Sequence, residues 1–493
     1  MMRKLIDLEI NKKQQKKNAL IAKDRKIRIP TFEQMKNPEN VPAEVRETLK
    51  ETGLWDFDPI NLYRISWKNE PVEHGGMYQS LPSYIEIPGE LTGVKARIFA
   101  MTGKYFPTGA HKVGASFACL VPRLITGQFD PSFHEAVWPS TGNYCRGGAY
   151  NSKLLGCKSI AILPENMSRE RFQWLSEVAG EVIATPGCES NVKEIYDKTW
   201  ELRKTRDNVV ILNQFGELGN HLWHYEVTGN ALDDIIKAEA GEKGKVAGVC
   251  LTSGSAGTLG CADFIKDQHP HAKLAVGEAL QCPTLLNNGF GDHRIEGIGD
   301  KHVPWIHNVK NTDMIIGIDD NDSLGMFRLV NEPEGQEYLK NLGISGDVIE
   351  KLSWIGISGA ANIIACIKFA KYYELTENDM VLTILTDSAE LYQSRLIEME
   401  EKRGRAYSMT DAALDYGVSV MGLRTDHVEE LTYQSRKRIH NLKYYTWIEQ
   451  QMYDVDELNE QWYDYENYWD RLHRMGPELD QLIEQFNDLQ DQS

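Results

Sequence analysis

Residues 96–120 read Ala-Arg-Ile-Phe-Ala-Met-Thr-Gly-Lys-Tyr-Phe-Pro-Thr-Gly-Ala-His-Lys-Val-Gly-Ala-Ser-Phe-Ala-Cys-Leu, and the fold is legible in how that stretch is built. A short apolar run (96–101) leads into a loop, Thr108-Gly109-Ala110-His111-Lys112, and an apolar helical stretch, 113–120, follows at once. The same unit recurs. Candidate strands lie at 135–139, 158–163, 208–213, 246–252, 273–276, 314–318 and 381–386. Amphipathic segments stand between most of them, among them 169–179, 192–205, 224–239 and 360–373. Near-continuous apolar strands alternating with helices predict parallel sheets covered on both faces. Two successive blocks of this kind predict an α/β chain of two doubly wound parallel-sheet domains with a cleft between them.

The break between the blocks falls in the charged linker 239–245, where Gly-Glu-Lys-Gly-Lys interrupts the periodicity. The chain is therefore read as a polar helical leader (1–60), an N-terminal α/β domain (61–240), a C-terminal α/β domain (241–425) and an acidic, aromatic helical tail (426–493). Trp462, Tyr465 and Trp469 recur at helical spacing in that tail and read as packing rather than chemistry.

Composition narrows the function classes. The 493 residues are 41% hydrophobic and 26% charged, an ordinary globular balance. No apolar run approaches the ~20 residues that span a bilayer, which predicts no membrane association. The basic N-terminus has no apolar core of a secretory signal, so a cytoplasmic location is expected. A net charge of -18 argues against nucleic acid as partner. Eight cysteines, at 119, 145, 157, 188, 250, 261, 282 and 366, form no Cys-x-x-Cys pair, and neither a disulfide framework nor a metal site is expected. Residues 1–28 carry ten Lys/Arg and residues 445–493 carry thirteen Asp/Glu. These read as solvated faces, or as a basic arm docking on the acidic tail of a second subunit.

Three loops after candidate strands carry chemistry. In the first, small residues precede Lys112 and let the backbone approach a flat ligand. The apolar helix after it buries the lysine stem, and a desolvated lysine has a lowered pKa and attacks carbonyls to form a Schiff base. The second, Ser140-Thr141-Gly142-Asn143, offers hydroxyls, backbone N–H groups and a helix start to an anion such as a substrate carboxylate. Asn143 adds both a donor and an acceptor. The third, Ser253-Gly254-Ser255-Ala256-Gly257-Thr258, combines amides, hydroxyls and a helix start into a phosphate site, without the lysine of a nucleotide-binding loop.

Together these loops resemble the fold-type II pyridoxal-phosphate enzymes, the superfamily of cysteine synthase, cystathionine beta-synthase and the tryptophan synthase beta subunit. The resemblance runs from about residue 80 to about 400. Thr-Gly-Ala-His-Lys (108–112) is similar to the tryptophan synthase beta lysine loop. Ser-Thr-Gly-Asn (140–143) resembles the asparagine loop of the sulfhydrylases, and Leu-Pro-Glu-Asn-Met-Ser-x-Glu-Arg (163–171) their mobile subdomain. Gly-Ser-Ala-Gly-Thr (254–258), His-Arg-Ile-Glu-Gly-Ile-Gly (293–299), Gly-Ile-Ser-Gly-Ala-Ala (356–361) and Thr-Asp-Ser-Ala-Glu-Leu-Tyr (386–392) follow in family order. The chain departs from the sulfhydrylases in having Ala-His-Lys-Val-Gly around the lysine and Asn143-Tyr144-Cys145 in the carboxylate loop. Asp300, Lys301 and His302 stand where small apolar residues follow Gly-Ile-Gly.

The resemblance implies a tryptophan synthase beta-like fold with pyridoxal 5'-phosphate in the cleft and helical extensions at both ends. Lys112 would hold the cofactor and move the substrate's α proton. Gly254, Ser255, Ala256, Gly257 and Thr258 would bind its phosphate, Asn143 its ring hydroxyl and Ser388 its ring nitrogen, with His111 near the phosphate or the ring. Ser140, Thr141, Gly142, Tyr144, Gly297 and Gly299 would line the substrate side. A serine at the ring nitrogen softens the electron sink and disfavours transamination. The implied activity is β-elimination or β-replacement on a serine- or cysteine-type amino acid through an aminoacrylate. The alternatives are an amino-acid dehydratase or ammonia-lyase, or a tryptophan synthase beta-like subunit needing a partner. A homodimer and a small amino-acid substrate are expected on the same ground.

Overall fold

The computed structural model describes residues 5–140, 142–187 and 192–491. Among them eleven strands form two sheets. β3 (Glu135–Pro139), β4 (Lys158–Pro164), β5 (Glu181–Thr185) and β6 (Val209–Ile211) make the smaller sheet, in the order β5-β4-β3-β6 and parallel throughout. The larger sheet holds β1 (Tyr84–Ile87), β2 (Arg97–Thr102), β7 (Lys245–Thr252), β8 (Lys273–Ala279), β9 (Met314–Ile318), β10 (Asp379–Leu385) and β11 (Val428–Glu430). Its order is β1-β2-β10-β7-β8-β9-β11; the five inner strands are parallel and both edge strands run antiparallel.

The inner strands are buried on both faces, as their apolar runs require: every residue of β9, Met-Ile-Ile-Gly-Ile, is buried. The helix Ile357–Tyr372 packs across β7 and β10 and is buried from 357 to 370, the fate of a helix that is apolar all round. One polar side chain inside it positions the cleft. Asn362 accepts the Thr252 N–H (2.7 Å) and donates to the Ile384 carbonyl (2.6 Å), so it holds the C-terminal ends of β7 and β10 together. Among the described residues no single helix is long and apolar enough to cross a membrane.

The two expected sheets are present, but they do not divide at residue 240. β1 and β2 leave the N-terminal block and join the larger sheet, β2 pairing with β10 from Arg97↔Met380 to Thr102↔Leu385. The smaller sheet takes only strands between 135 and 211. Hydrophobic pattern locates strands without saying which strand each one pairs with. The short strands β1, β5 and β11 escape the pattern; β5 is mostly half-buried, and β11 is an edge strand carrying Glu429 and Glu430. Outward charges on such an edge discourage pairing with another chain.

The leader and the tail dock on each other within one chain. The helix Lys12–Asp24 packs against Gly476–Asp491. The Asp480 carboxylate accepts the Phe32 and Glu33 N–H groups (2.6 and 3.0 Å) at the start of the helix Phe32–Lys36, where an acid satisfies orphan donors and the helix dipole. Arg28 donates to the Asn487 carbonyl (2.8 Å) and pairs with Asp491. The basic arm thus meets the acidic tail in cis, and Trp462 and Trp469 are buried as packing.

Candidate active site

The loops at the C-terminal ends of β2, β3, β7 and β10 converge on one cavity, where ligands gather in open parallel sheets. The lysine loop is anchored to β10: Gly103 N–H donates to the Leu385 carbonyl (2.8 Å) and His111 N–H to the Thr386 carbonyl (3.3 Å). A Cβ on Gly103 would lie 2.5 Å from that Thr386 oxygen, so this approach needs glycine. Lys112 then opens the helix Lys112–Ile125, and its Nζ donates to Ser255 Oγ (3.2 Å) in the phosphate loop. Burial lowers the Lys112 pKa to about 8, with the Asp300 charge opposing in part. Desolvation disfavours the ammonium and leaves a nucleophilic amine near neutral pH.

The phosphate loop follows β7 and runs into the helix Gly260–Gln268. Ala256 sits in the left-handed region at φ 65°. A Cβ on Gly254 would stand 2.7 Å from the Gly297 carbonyl oxygen, and one on Gly257 only 2.0 Å from Asn220 Oδ1. Asn220, in the helix Leu218–Trp223, uses its Nδ2 to hold both Ser255 Oγ (3.2 Å) and the Gln214 carbonyl (3.0 Å). The loop is thus shaped from behind by Asn220 and from the side by the 297–299 turn, where Gly299 N–H donates to the Ser253 carbonyl (2.9 Å).

In the asparagine loop, Ser140 Oγ accepts from Gly142 N–H (3.2 Å) and from Gln214 Nε2 (3.1 Å). Thr141 lies outside the described residues. A Cβ on Gly142 would meet the Arg171 guanidinium at 2.7 Å. Asn143 Nδ2 donates to Asp387 Oδ2 (2.6 Å), while its Oδ1 is buried without a protein partner. Tyr144 packs edge-on to Trp138 (5.4 Å), and burial keeps its phenol protonated.

Behind Asn143 runs a buried polar chain. Tyr392 Oη donates to Asp387 Oδ2 (2.6 Å) and accepts from Arg171 Nη2 (2.8 Å). Arg171 pairs with Glu296 (2.7 Å), which Arg395 also binds (2.5 Å). Burial raises the Asp387 pKa against the pull of Arg171 and its hydrogen bonds. Arg171 belongs to the helix Arg169–Val178 beside the smaller sheet, whereas Asp387, Tyr392 and Glu296 belong to the larger unit, so the chain spans the cleft.

The cavity wall contains Lys112, Ser140, Asn143, Tyr144, Gly254, Ser255, Ala256, Thr258 and Gly297. Gly257 backs onto Asn220 instead, and Gly299 acts through its backbone at φ 80°. His111 is not in the wall. Successive helical residues point ~100° apart, so with Lys112 turned to the cavity its neighbour turns to the core. There His111 packs against Trp67 (5.5 Å) and His224 (4.9 Å), and burial pushes its pKa well down. Ser388 is buried beside the cavity but outside its wall; Thr386 lines the wall and Asp387 holds Asn143. Cys145 is a packed thiol, donating to the Gly142 carbonyl (2.8 Å) and pushed up to about 12 by burial. Of the three polar residues after Gly-Ile-Gly, Asp300 lines the cavity, Lys301 lies 3.7 Å from Asp292, and His302 bonds Tyr196 Oη (3.0 Å).

Sequence reasoning missed Gln214, Phe215, Thr252, Leu259 and Thr386 in the wall, and Asn220 and Asp387 behind it. Gln214 and Phe215 follow β6, and Thr386 follows β10, so the rule that ligands gather at parallel strand ends could have found them. Nothing in the sequence marks Asn220 as support for a loop 35 residues away.

These residues fit pyridoxal phosphate. A buried amine with a lowered pKa faces a glycine-lined anion cradle, and beside them the unpartnered amide oxygen of Asn143 suits a polar ring substituent, since buried polar atoms without partners are uncommon. Comparison with known proteins agrees. A family model described as pyridoxal-phosphate dependent enzyme matches residues 84–387. Cystathionine beta-synthase of Saccharomyces cerevisiae is 26% identical over 317 residues, covering 62% of this chain and 59% of that enzyme. The match thus spans less than two thirds of the yeast enzyme's length. A probable cysteine synthase of Bacillus subtilis is 27% identical over 301 residues, 61% of this chain and 89% of that protein. In fold, the chain is similar to a hydrogen sulfide-producing enzyme from Fusobacterium nucleatum, with a TM-score of 0.54, 24% identity, and coverage of 63% of this chain and 96% of that one.

Proposed function

Because the chain belongs to the pyridoxal-phosphate-dependent enzyme family, we propose that it catalyses β-elimination or β-replacement on a serine- or cysteine-type amino acid. The observation that carries this reading is Lys112: a buried amine held at 3.2 Å by the hydroxyl of the phosphate loop, in a wall that also contains Ser140 and Asn143. Lys112 would hold the cofactor covalently, Gly254 to Thr258 its phosphate and Asn143 its ring substituent. When bound, pyridoxal phosphate supplies an electron sink for the charge left when a proton leaves the substrate's α carbon.

The remaining work falls to the chain's own groups. Once the substrate's amino group had displaced it from the cofactor, Nζ of Lys112 would be a free amine, neutral for part of the time near pH 7–8, able to accept the α proton and, once protonated, to deliver it to a leaving group or back to carbon. Ser140 Oγ, the Gln214 amide and the N-terminus of the helix Asn143–Leu154 form the anion site for the substrate carboxylate. Asp300 faces the amine across the cavity and steadies its protonated form. Phe215, Leu259 and Ile298 wall off water, which strengthens these interactions. The relatives named cystathionine beta-synthase and probable cysteine synthase support the β-carbon chemistry.

The test offers serine, O-acetylserine, cysteine, threonine and diaminopropionate to the holoenzyme, with and without sulfide, and identifies products. Pyruvate with ammonia, or a β-substituted alanine, from the serine or cysteine group supports the reading. Turnover confined to threonine or diaminopropionate, or simple amino-group exchange with a keto acid, overturns it.

A further inference from the structure

Away from the cavity, three buried side chains aim coordinating atoms at one point. His221 Nε2 lies 3.0 Å from His473 Nε2 and 3.5 Å from Asp263 Oδ2, and His473 Nε2 lies 3.7 Å from that oxygen. The point equidistant from the three atoms is about 2.0 Å from each, the length of zinc–nitrogen and zinc–oxygen bonds. The two ring planes are within 6° of parallel, with centroids 5.3 Å apart. Asp263 is oriented as ligating carboxylates are: Asn308 Nδ2 donates to its Oδ2 (2.7 Å) and Asn311 Nδ2 to its Oδ1 (2.5 Å). Tyr225 stacks on His473 at 3.8 Å and fixes the ring.

A single shared proton would make the imidazole pair cationic beside the carboxylate, whereas a metal ion bonds to each of the three atoms directly. A divalent cation satisfies all three. We propose that His221, Asp263 and His473 bind one divalent cation of the zinc class, with imidazole and carboxylate ligands suited to that metal. Three protein ligands leave one position of a tetrahedral ion for water. The site does not touch the catalytic cavity, so its role is structural. His221 follows Asn220, the support of Ser255, and Asp263 lies in the helix that leaves the phosphate loop. His473 lies in the tail. The ion therefore fastens the tail to the scaffold behind the phosphate loop. The ligands stand at 221, 263 and 473, a spacing that matches no metal motif, and sequence reading expected no metal.

The test is metal analysis of the wild-type holoenzyme after dialysis against Zn2+ and then metal-free buffer. One zinc per chain is expected. His473→Gln is expected to lose it while keeping its pyridoxal phosphate content, and a chelator is expected to lower the thermal midpoint of wild type only. Cobalt in place of zinc should give wild type a visible ligand-field spectrum, which decides the matter alone if H473Q does not fold. Wild type that holds no zinc and shows no cobalt spectrum overturns the proposal. So does an H473Q protein that folds and keeps its zinc.

Discussion

Gly257→Ala tests whether the phosphate loop is shaped from behind. The new Cβ would stand 2.0 Å from Asn220 Oδ1 and 2.4 Å from its Cγ, more than an ångström inside ordinary contact. Asn220 must move or the loop must shift, and either change breaks the Asn220–Ser255 hydrogen bond (3.2 Å) and disturbs the partner of Lys112 Nζ. Overpacking of this kind costs about 1–3 kcal/mol and a lost hydrogen bond about 1 kcal/mol. If this strain falls on the loop, cofactor affinity drops by about 30- to 700-fold, at 1.4 kcal/mol per factor of ten. The assay titrates apoenzyme with pyridoxal phosphate and follows absorbance. Gly346→Ala is the control, because its Cβ meets nothing within 4 Å. An affinity for G257A within twofold of wild type would mean that Asn220 does not shape the loop.

Two further outcomes follow from the site. Because the folded Lys112 pKa is lowered to about 8, the rate at which apoenzyme captures pyridoxal phosphate should rise with pH and level off above that value; a rate still climbing steeply at pH 10 would mean an ordinary lysine. Arg171→Gln should lower stability by about 3–5 kcal/mol, since removing one partner strands buried charge, with Arg395 offsetting part of the loss at Glu296. A denaturation midpoint unchanged within error would show that the buried chain across the cleft is dispensable.

Strands were legible wherever they were apolar on both faces. β3 and β9 fall on the residues where the pattern places them, because nothing but burial explains Glu-Ala-Val-Trp-Pro and Met-Ile-Ile-Gly-Ile. Pairing was not legible: residues of β2 lie 283 positions before their partners in β10, from Arg97↔Met380 to Thr102↔Leu385, and local pattern carries no information at that range. The site divided the same way. Lys112, Asn143 and the 253–258 loop sit at strand ends with telling residue types. Asn220 and Asp387 look like any asparagine and aspartate until the fold brings them behind Ser255 and Asn143. His111 misleads because its neighbour faces the cavity and a helix turns adjacent residues apart.

Borohydride reduction of the holoenzyme followed by peptide mapping reads out whether Lys112 carries pyridoxal phosphate. Wild type should show a visible absorption band that reduction removes and one pyridoxyl group on the peptide containing Lys112, and Lys112→Ala should show neither. A band that persists in Lys112→Ala, or a pyridoxyl group fixed on another lysine, would contradict that role for Lys112.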